Sequence, residues 1–282
     1  MRCPDRKRLS SQAGLTLVEL VVTIVVTGII AAGVALFIQR PVEGYIDAAR
    51  RAELTDEADT ALRRITRDLR TALPNSVRVD ATGKFVEFIE TTGGGRYRAE
   101  LDNSGNGNIL DFVTTSLTPP TADTSFDVIG PAPVLAPGNE IVVYNLNSTG
   151  TTLNAYFGDN RSALTSTSAP PVAFVEKLFP ESSPARRFHV VSGPVTYGCT
   201  GGQLIRYSGY GYNTAQAAPP GVSGAVLAGN VDVASCSFVY TAGSISERTG
   251  TVSIVLVLTR SGGAGTPEVV RLFQQAQVSN AP

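Results

Sequence analysis

A chain of 282 residues, 43% of them hydrophobic, has room for one large domain or two small ones and enough apolar side chain for a true core. Its formal net charge of −1 leaves no basic footprint for a nucleic-acid partner. The near-balance conceals an asymmetry, because Arg2, Arg6, Lys7 and Arg8 against Asp5 give the segment up to Gly14 a charge of about +3, directly before an apolar run.

From Leu15 to Ile38 the only charged residue is Glu19, and about 20 such residues in a helix cross a bilayer. By the positive-inside rule the N-terminus stays in the cytoplasm and the rest of the chain is exported. Three readings of the run are open. It is a permanent anchor; or a secretory signal cut near Ala31, Ala32 and Gly33; or a segment processed at the Gly14/Leu15 junction. A carboxylate inside hydrocarbon costs at least about 2.5 kcal/mol, so Glu19 calls for a reason.

The order of features supplies one. A short basic leader ending in Gly14, an apolar residue, a glutamate five places into the new chain (L15-T-L-V-E19) and an apolar helix resemble the class III signal of type IV prepilins and pseudopilins. Leu15 stands where those families usually have Phe or Met, and it keeps the apolar character. The resemblance implies cleavage between Gly14 and Leu15 by prepilin peptidase and N-methylation of Leu15 by the same enzyme. It also implies a register role for Glu19, whose carboxylate pairs with the new α-amino group of Leu15 on an adjacent subunit, so that both charges leave lipid together. The plainer alternative places Glu19 at interface depth, reaching the headgroups.

After Arg40 and Pro41 the pattern turns amphipathic. Val42, Tyr45, Ile46, Ala49, Leu54, Ala58, Ala61, Leu62, Ile65, Leu69 and Leu73 recur at three- and four-residue steps, with Arg50, Arg51, Asp56, Asp59, Arg63, Arg67 and Asp68 assigned to the other face. This predicts one helix from Leu15 to Leu73, roughly 90 Å long at 1.5 Å per residue, kinked near Pro41 and ended by Pro74 and Asn75. Its membrane or filament half is 15–38 and its amphipathic half 39–73.

Residues 74–282 read as a β-rich globular domain. "VRVD", "KFVEFIET" and "RYRAELD" are predicted as separate strands, with Gly93 to Gly95 as a turn. "EIVVYNLN", "FHVVSGPVTYGC" and "QLIRYSGYGY" follow, and "VDVASCSFVY", "TVSIVLVLT" and "EVVRLFQQAQV" form an antiparallel meander. "TTSLTPPTADTS" and "RSALTSTSAPP" read as surface loops. The apolar face of such a sheet needs a cover, and the amphipathic helix provides it. The expected fold is α+β, a type IV pilin-like ladle with a long N-terminal helix packed on an antiparallel sheet.

Within those families, "FIQRPVEGYIDAARRAELTDEADTALRRITRDLRTALPNSVRV" and "GPVTYGC…GGQLIRYSGY" are similar to the MshO-type minor pilin of mannose-sensitive haemagglutinin (MSHA) pili. The J-type minor pseudopilin of type II secretion and the PilW-type minor pilin share the architecture. The resemblance implies a single-pass inner-membrane protein with its β domain in the periplasm, later part of a pilus. Its implied partners are prepilin peptidase, other minor pilins, the major pilin and the inner-membrane assembly platform. A rival from another class is a ligand-binding β protein, an anchored adhesin or a soluble protein released by ordinary signal peptidase.

Cys3 falls in the leader, which leaves Cys199 and Cys236 as a disulfide pair in an oxidising periplasm; two free buried thiols are the alternative. Asp102, Ser104, Asn106, Gly107 and Asn108 match the start of a calcium loop, but Val113 holds the place of the bidentate glutamate and Asp111 comes two positions early. A polar hairpin explains the same composition. Tyr207, Tyr210 and Tyr212 beside Arg206 suggest a sugar platform or, more plainly, packing tyrosines. His189 is the only histidine, with no G-x-S-x-G elbow, P-loop or dinucleotide turn, so no enzyme and no cofactor beyond that calcium is expected.

Overall fold

The computed structural model describes residues 14–114, 121–243, 249–261 and 267–282. The expected leader up to Ala13, with Cys3, lies outside them, as do residues 115–120 of the first Ser/Thr/Pro-rich stretch. The chain divides into two compact units, Met1–Arg50 and Arg51–Pro282.

One helix, α1, covers Leu17–Arg70 and includes Pro41. It stops short of the expected Leu73. Thr71 and Ala72 donate to the carbonyls of Asp68 and Leu69, tightening the last turn, and the Leu73 N–H leaves the helix to bond the Ile89 carbonyl at 2.8 Å. Asn75 then takes a left-handed conformation (φ 58°), which asparagine tolerates better than most residues.

The strands of the second unit are, in chain order, β1 (Arg78–Val79), β2 (Phe85–Tyr97), β3 (Asp123–Phe126), β4 (Val128–Ile129), β5 (Glu140–Val143), β6 (Arg161–Ala163) and β7 (Val172–Lys177). After them come β8 (Arg187–Thr200), β9 (Gln203–Ser208), β10 (Ala225–Ala228), β11 (Ser237–Thr241), β12 (Thr249–Ser261) and β13 (Pro267–Ser279). The spine of an eight-stranded sheet is β8. Along one edge it pairs antiparallel with β2; along the other it pairs with β5 near its start and β9 near its end. The meander β11-β12-β13 is present as expected, in continuous antiparallel register from Ser237↔Val255 to Ser261↔Pro267.

The arrangement is α+β, and within the second unit the helix does cover the sheets. Leu54, Ala58, Ala61, Leu62, Ile65 and Leu69 are buried in one cluster with Val86, Phe88, Val195, Tyr197, Phe238, Ile254, Leu256 and Val278. Burying each large aliphatic side chain is worth about 1.5–3 kcal/mol. Polar ties along the same face hold the helix in register. Arg51 pairs with Glu268, Arg260 with Glu53 at 2.7 Å, and Glu57 accepts the Gly229 N–H at 2.6 Å. Val42, Tyr45, Ile46 and Ala49, from the same predicted stripe, are exposed in the first unit.

Three expectations need correction. The glycine run is no turn: Gly93–Gly95 lie inside β2, opposite Val190, His189 and Phe188. A Cβ at Gly94 would come within 2.7 Å of the Phe188 carbonyl, and one at Gly95 within 3.0 Å of the Phe188 ring, so close strand approach requires glycine there. Asp68 is not on the solvated face but buried, facing β8 and β9. The Ser/Thr/Pro-rich stretches are not only loops, since they supply β3 and β6. With β7, β3 forms a two-stranded sheet over a second, aromatic core of Tyr97, Phe112, Phe126, Phe174, Phe179 and Phe188.

Candidate functional site: the N-terminal segment

Residues 14–16 are not helical, and the first helical bond runs from the Leu20 N–H to the Thr16 carbonyl at 3.1 Å. Thr16 is the N-cap: its hydroxyl accepts the Glu19 N–H at 3.3 Å. Glu19 is therefore the third residue of the helix, and T16-L-V-E19 has the capping-box spacing. That spacing was present in the sequence and gives Glu19 a local use, a negative charge at the positive end of the helix. The Gly14–Leu15 bond precedes the cap in non-helical chain, with nothing within 4 Å of a Cβ placed on Gly14 and with Leu15 67% exposed.

Beyond the cap, Leu17–Ile38 is a 22-residue stretch of mean hydropathy 2.7, none of it buried within the protein. At 1.5 Å per residue it is about 33 Å long, enough for a hydrocarbon layer of about 30 Å. Its two threonines do not break the apolar surface. The Thr23 hydroxyl donates to the Leu20 carbonyl at 2.9 Å and the Thr27 hydroxyl to the Thr23 carbonyl at 2.5 Å. Beside them Gly28 and Gly33 have open space where a side chain would stand, so another helix can approach the backbone closely.

Residues 9–35 match the family model of the prokaryotic N-terminal methylation motif. The match supports a type IV pilin-like prepilin signal, and with it processing by prepilin peptidase and assembly with other pilins. Motif and apolar helix together fit a membrane-anchored protein. No curated protein and no solved structure matches the chain.

The other predicted residues lie in the second unit. Cys199, at the end of β8, and Cys236, just before β11, are joined by a disulfide with a Cα–Cα distance of 6.5 Å, linking the large sheet to the meander. The Asp102 carboxylate accepts the N–H groups of Ser104 and Asn106, both at 2.8 Å, and these bonds hold it below the usual carboxylate range. The Asn108 amide donates to Ser125 Oγ at 2.8 Å, and the Asp111 N–H goes to the Asp123 carboxylate at 2.6 Å. These groups thus serve the loop and its junction with β3; among the described residues no group of three or more His, Cys, Asp or Glu could hold a metal ion.

The tyrosines form no open platform. Tyr207 is buried, and Tyr210 bonds Thr196 and Glu87 at 2.6 and 3.0 Å. Tyr212 carries the Arg161 guanidinium 3.5 Å above its ring. Tyr210 thereby completes a polar centre that the sequence did not disclose. There Arg78 and Glu87 form an ion pair at 2.8 Å, and Arg78 also donates to the carbonyls of Asn213 and Thr214 while lying 3.7 Å over the Tyr156 ring. Burial, with Glu87 nearby, pushes the Tyr156 phenol well above its ordinary value.

Proposed function

We propose that the chain is a minor pilin-like structural subunit of the MshO type, cut after Gly14 and methylated on Leu15, that enters or primes an MSHA-type or other type IV pilus. The observation that carries this reading is the methylation motif running into a capped, wholly unburied apolar helix whose continuation within the second unit covers a β domain. An apolar surface of that length needs lipid before assembly and neighbouring helices after it. Glu19 then has two successive uses. In the membrane its carboxylate sits at the positive end of its own helix, and in the filament it meets the α-amino group of Leu15 on a neighbour, which fixes the register.

In this reading the β domain makes lateral contacts and the protein catalyses nothing; force for assembly comes from elsewhere in the machinery. The inner membrane holds the precursor, with the β domain on the periplasmic side. A J-type minor pseudopilin of type II secretion would use the same parts, and the filament with which the subunit co-purifies separates the two. The deciding experiment is mass spectrometry of the N-terminal peptide of membrane-derived protein. A start at N-methylated Leu15 supports the subunit reading, whereas a start near Gly33 or Val34 replaces it with an exported soluble binding protein.

A further inference from the structure

Above the glycine run of β2 the large sheet carries a shallow trough of about 370 Å³, lined by Gly93–Gly95, Arg96, Arg187, Phe188 and His189. Gly94 leaves its floor as bare backbone, since no side chain fits against the Phe188 carbonyl there. At one end Arg96 and Arg187 are direct cross-strand partners. Like charges placed opposite each other in a sheet are destabilising. Neither is neutralised, for among the described residues no carboxylate pairs with Arg96 or Arg187, and the only bond to either side chain is from Arg96 Nε to the Ala185 carbonyl at 3.2 Å. His189 also lines the trough, with Nδ1 beside Gly94 and Nε2 buried beneath without a hydrogen-bond partner. Burial, with Arg187 beside it, pushes the imidazole down to about 4, so it stands neutral, able to donate or accept.

We propose that this trough binds the acidic group of an anionic carbohydrate, held between the guanidinium groups of Arg96 and Arg187. Two guanidinium groups carried by directly paired residues of adjacent strands suit a carboxylate or sulfate, which accepts paired N–H donors in one plane. The rest of the ligand is assigned by what adjoins. Arg187 also lines the larger cavity of about 660 Å³, where the hydroxyls of Ser148, Thr149 and Tyr240 can meet a polyhydroxylated chain, the amides of Asn147 and Asn280 being bonded to Thr152 and Tyr240. A peptide strand fits less well, because β2 and β8 are hydrogen-bonded to each other here and the floor has no free backbone edge. The proposal is independent of the subunit reading and adds a recognition surface to it.

The test is titration calorimetry of the full chain in detergent with tetragalacturonate, against maltotetraose as a neutral tetrasaccharide. The ring signals of His189 serve as a local reporter, unambiguous because the sequence has one histidine. Tetragalacturonate is expected to bind and to shift the His189 signals. Arg96→Gln and Arg187→Gln, with unchanged melting curves, weaken binding by about tenfold or more, the loss of one charge-assisted contact; Arg271→Gln, at an exposed position on β13, leaves it unchanged. Equal binding of the neutral glycan, an equal loss in Arg271→Gln, or no binding at millimolar concentration overturns the proposal. So does an outcome in which both trough variants bind glycans normally but enter filaments poorly, which would mean that the arginines meet a carboxylate of another subunit.

Discussion

The hydroxyl of Tyr197, near the end of β8, donates to Oδ2 of Asp68 on α1 at 2.5 Å, and Arg206 of β9 approaches the same oxygen at 3.4 Å. Tyr197 is fully buried, and burial together with Asp68 raises its phenol far above the ordinary range, so it remains a proton donor at any physiological pH. Helix and sheet are thus fastened by one directional, charge-assisted contact within an apolar seam. Tyr197→Phe should lower stability by about 1.5–3 kcal/mol. Asp68→Ala should cost more, about 3–5 kcal/mol, since it strands a buried hydroxyl and leaves Arg206 with Glu90 as its one carboxylate partner among the described residues, beside the Ser208 hydroxyl. Urea unfolding followed by tyrosine fluorescence measures both, and an Asp68→Ala chain as stable as the parent would remove the fastening role.

Glu19→Ala should still be cleaved and methylated, because the junction lies in non-helical chain before the cap, yet fail to enter filaments. Thr16→Ala separates the two uses of Glu19. It removes the N-cap at a cost of about 1 kcal/mol to the helix and should leave filament entry largely intact. Co-purification of each variant with sheared filaments gives the comparison; equal loss in both would assign Glu19 to capping alone.

Opening the disulfide with Cys199→Ser and Cys236→Ser together should destabilise the protein by about 4 kcal/mol, the chain entropy released from a loop of 37 residues. The same shift should appear on reduction of the parent chain. A midpoint unchanged by reductant would show that the two sheets hold together without the link.

His189 sets a pH dependence whose sign is fixed by its folded pKa of about 4 against an ordinary value of 6.5. Between these values the unfolded chain binds more protons than the folded one, so stability is full above 6.5 and falls as the pH drops towards 4. His189→Gln should flatten that part of the stability profile and leave the neutral range unaffected. Denaturant midpoints from pH 4 to 7 provide the check.

Much of this was legible in the sequence because it rests on period and order. Six of the helix positions from Leu54 to Leu69 that recur at three- and four-residue steps are buried, and the meander strands alternate as strands should. Asp68 was not legible, since its charge and its helix neighbours Arg64 and Arg67 argue for the surface, whereas the distant Tyr197 and Arg206 draw it against the sheet. The β3–β7 pair was hidden for the opposite reason. Its strands are short and set among Ser, Thr and Pro, and Phe126, Phe174 and Phe179 acquire meaning only when the fold brings them together. The glycine run misled because three glycines in a row signal a turn unless a neighbouring backbone presses on them, and Phe188 lies far off in the sequence. At the N-terminal segment the methylation motif and the apolar helix were legible, whereas the cap on Thr16 was present as T-x-x-E without being read as one.

The disulfide bears on what happens when the second unit is pulled. Within that unit the helix is tied to the large sheet through Asp68 and Tyr197, and to the meander through Arg51 with Glu268 and Glu53 with Arg260. Tension entering along the helix therefore loads both sheets side by side. Without the covalent link the weaker sheet could peel away row by row; with Cys199 bonded to Cys236 the two must shear together, a mode that breaks many bonds at once. The crosslink acts as a mechanical strap as well as a thermodynamic one.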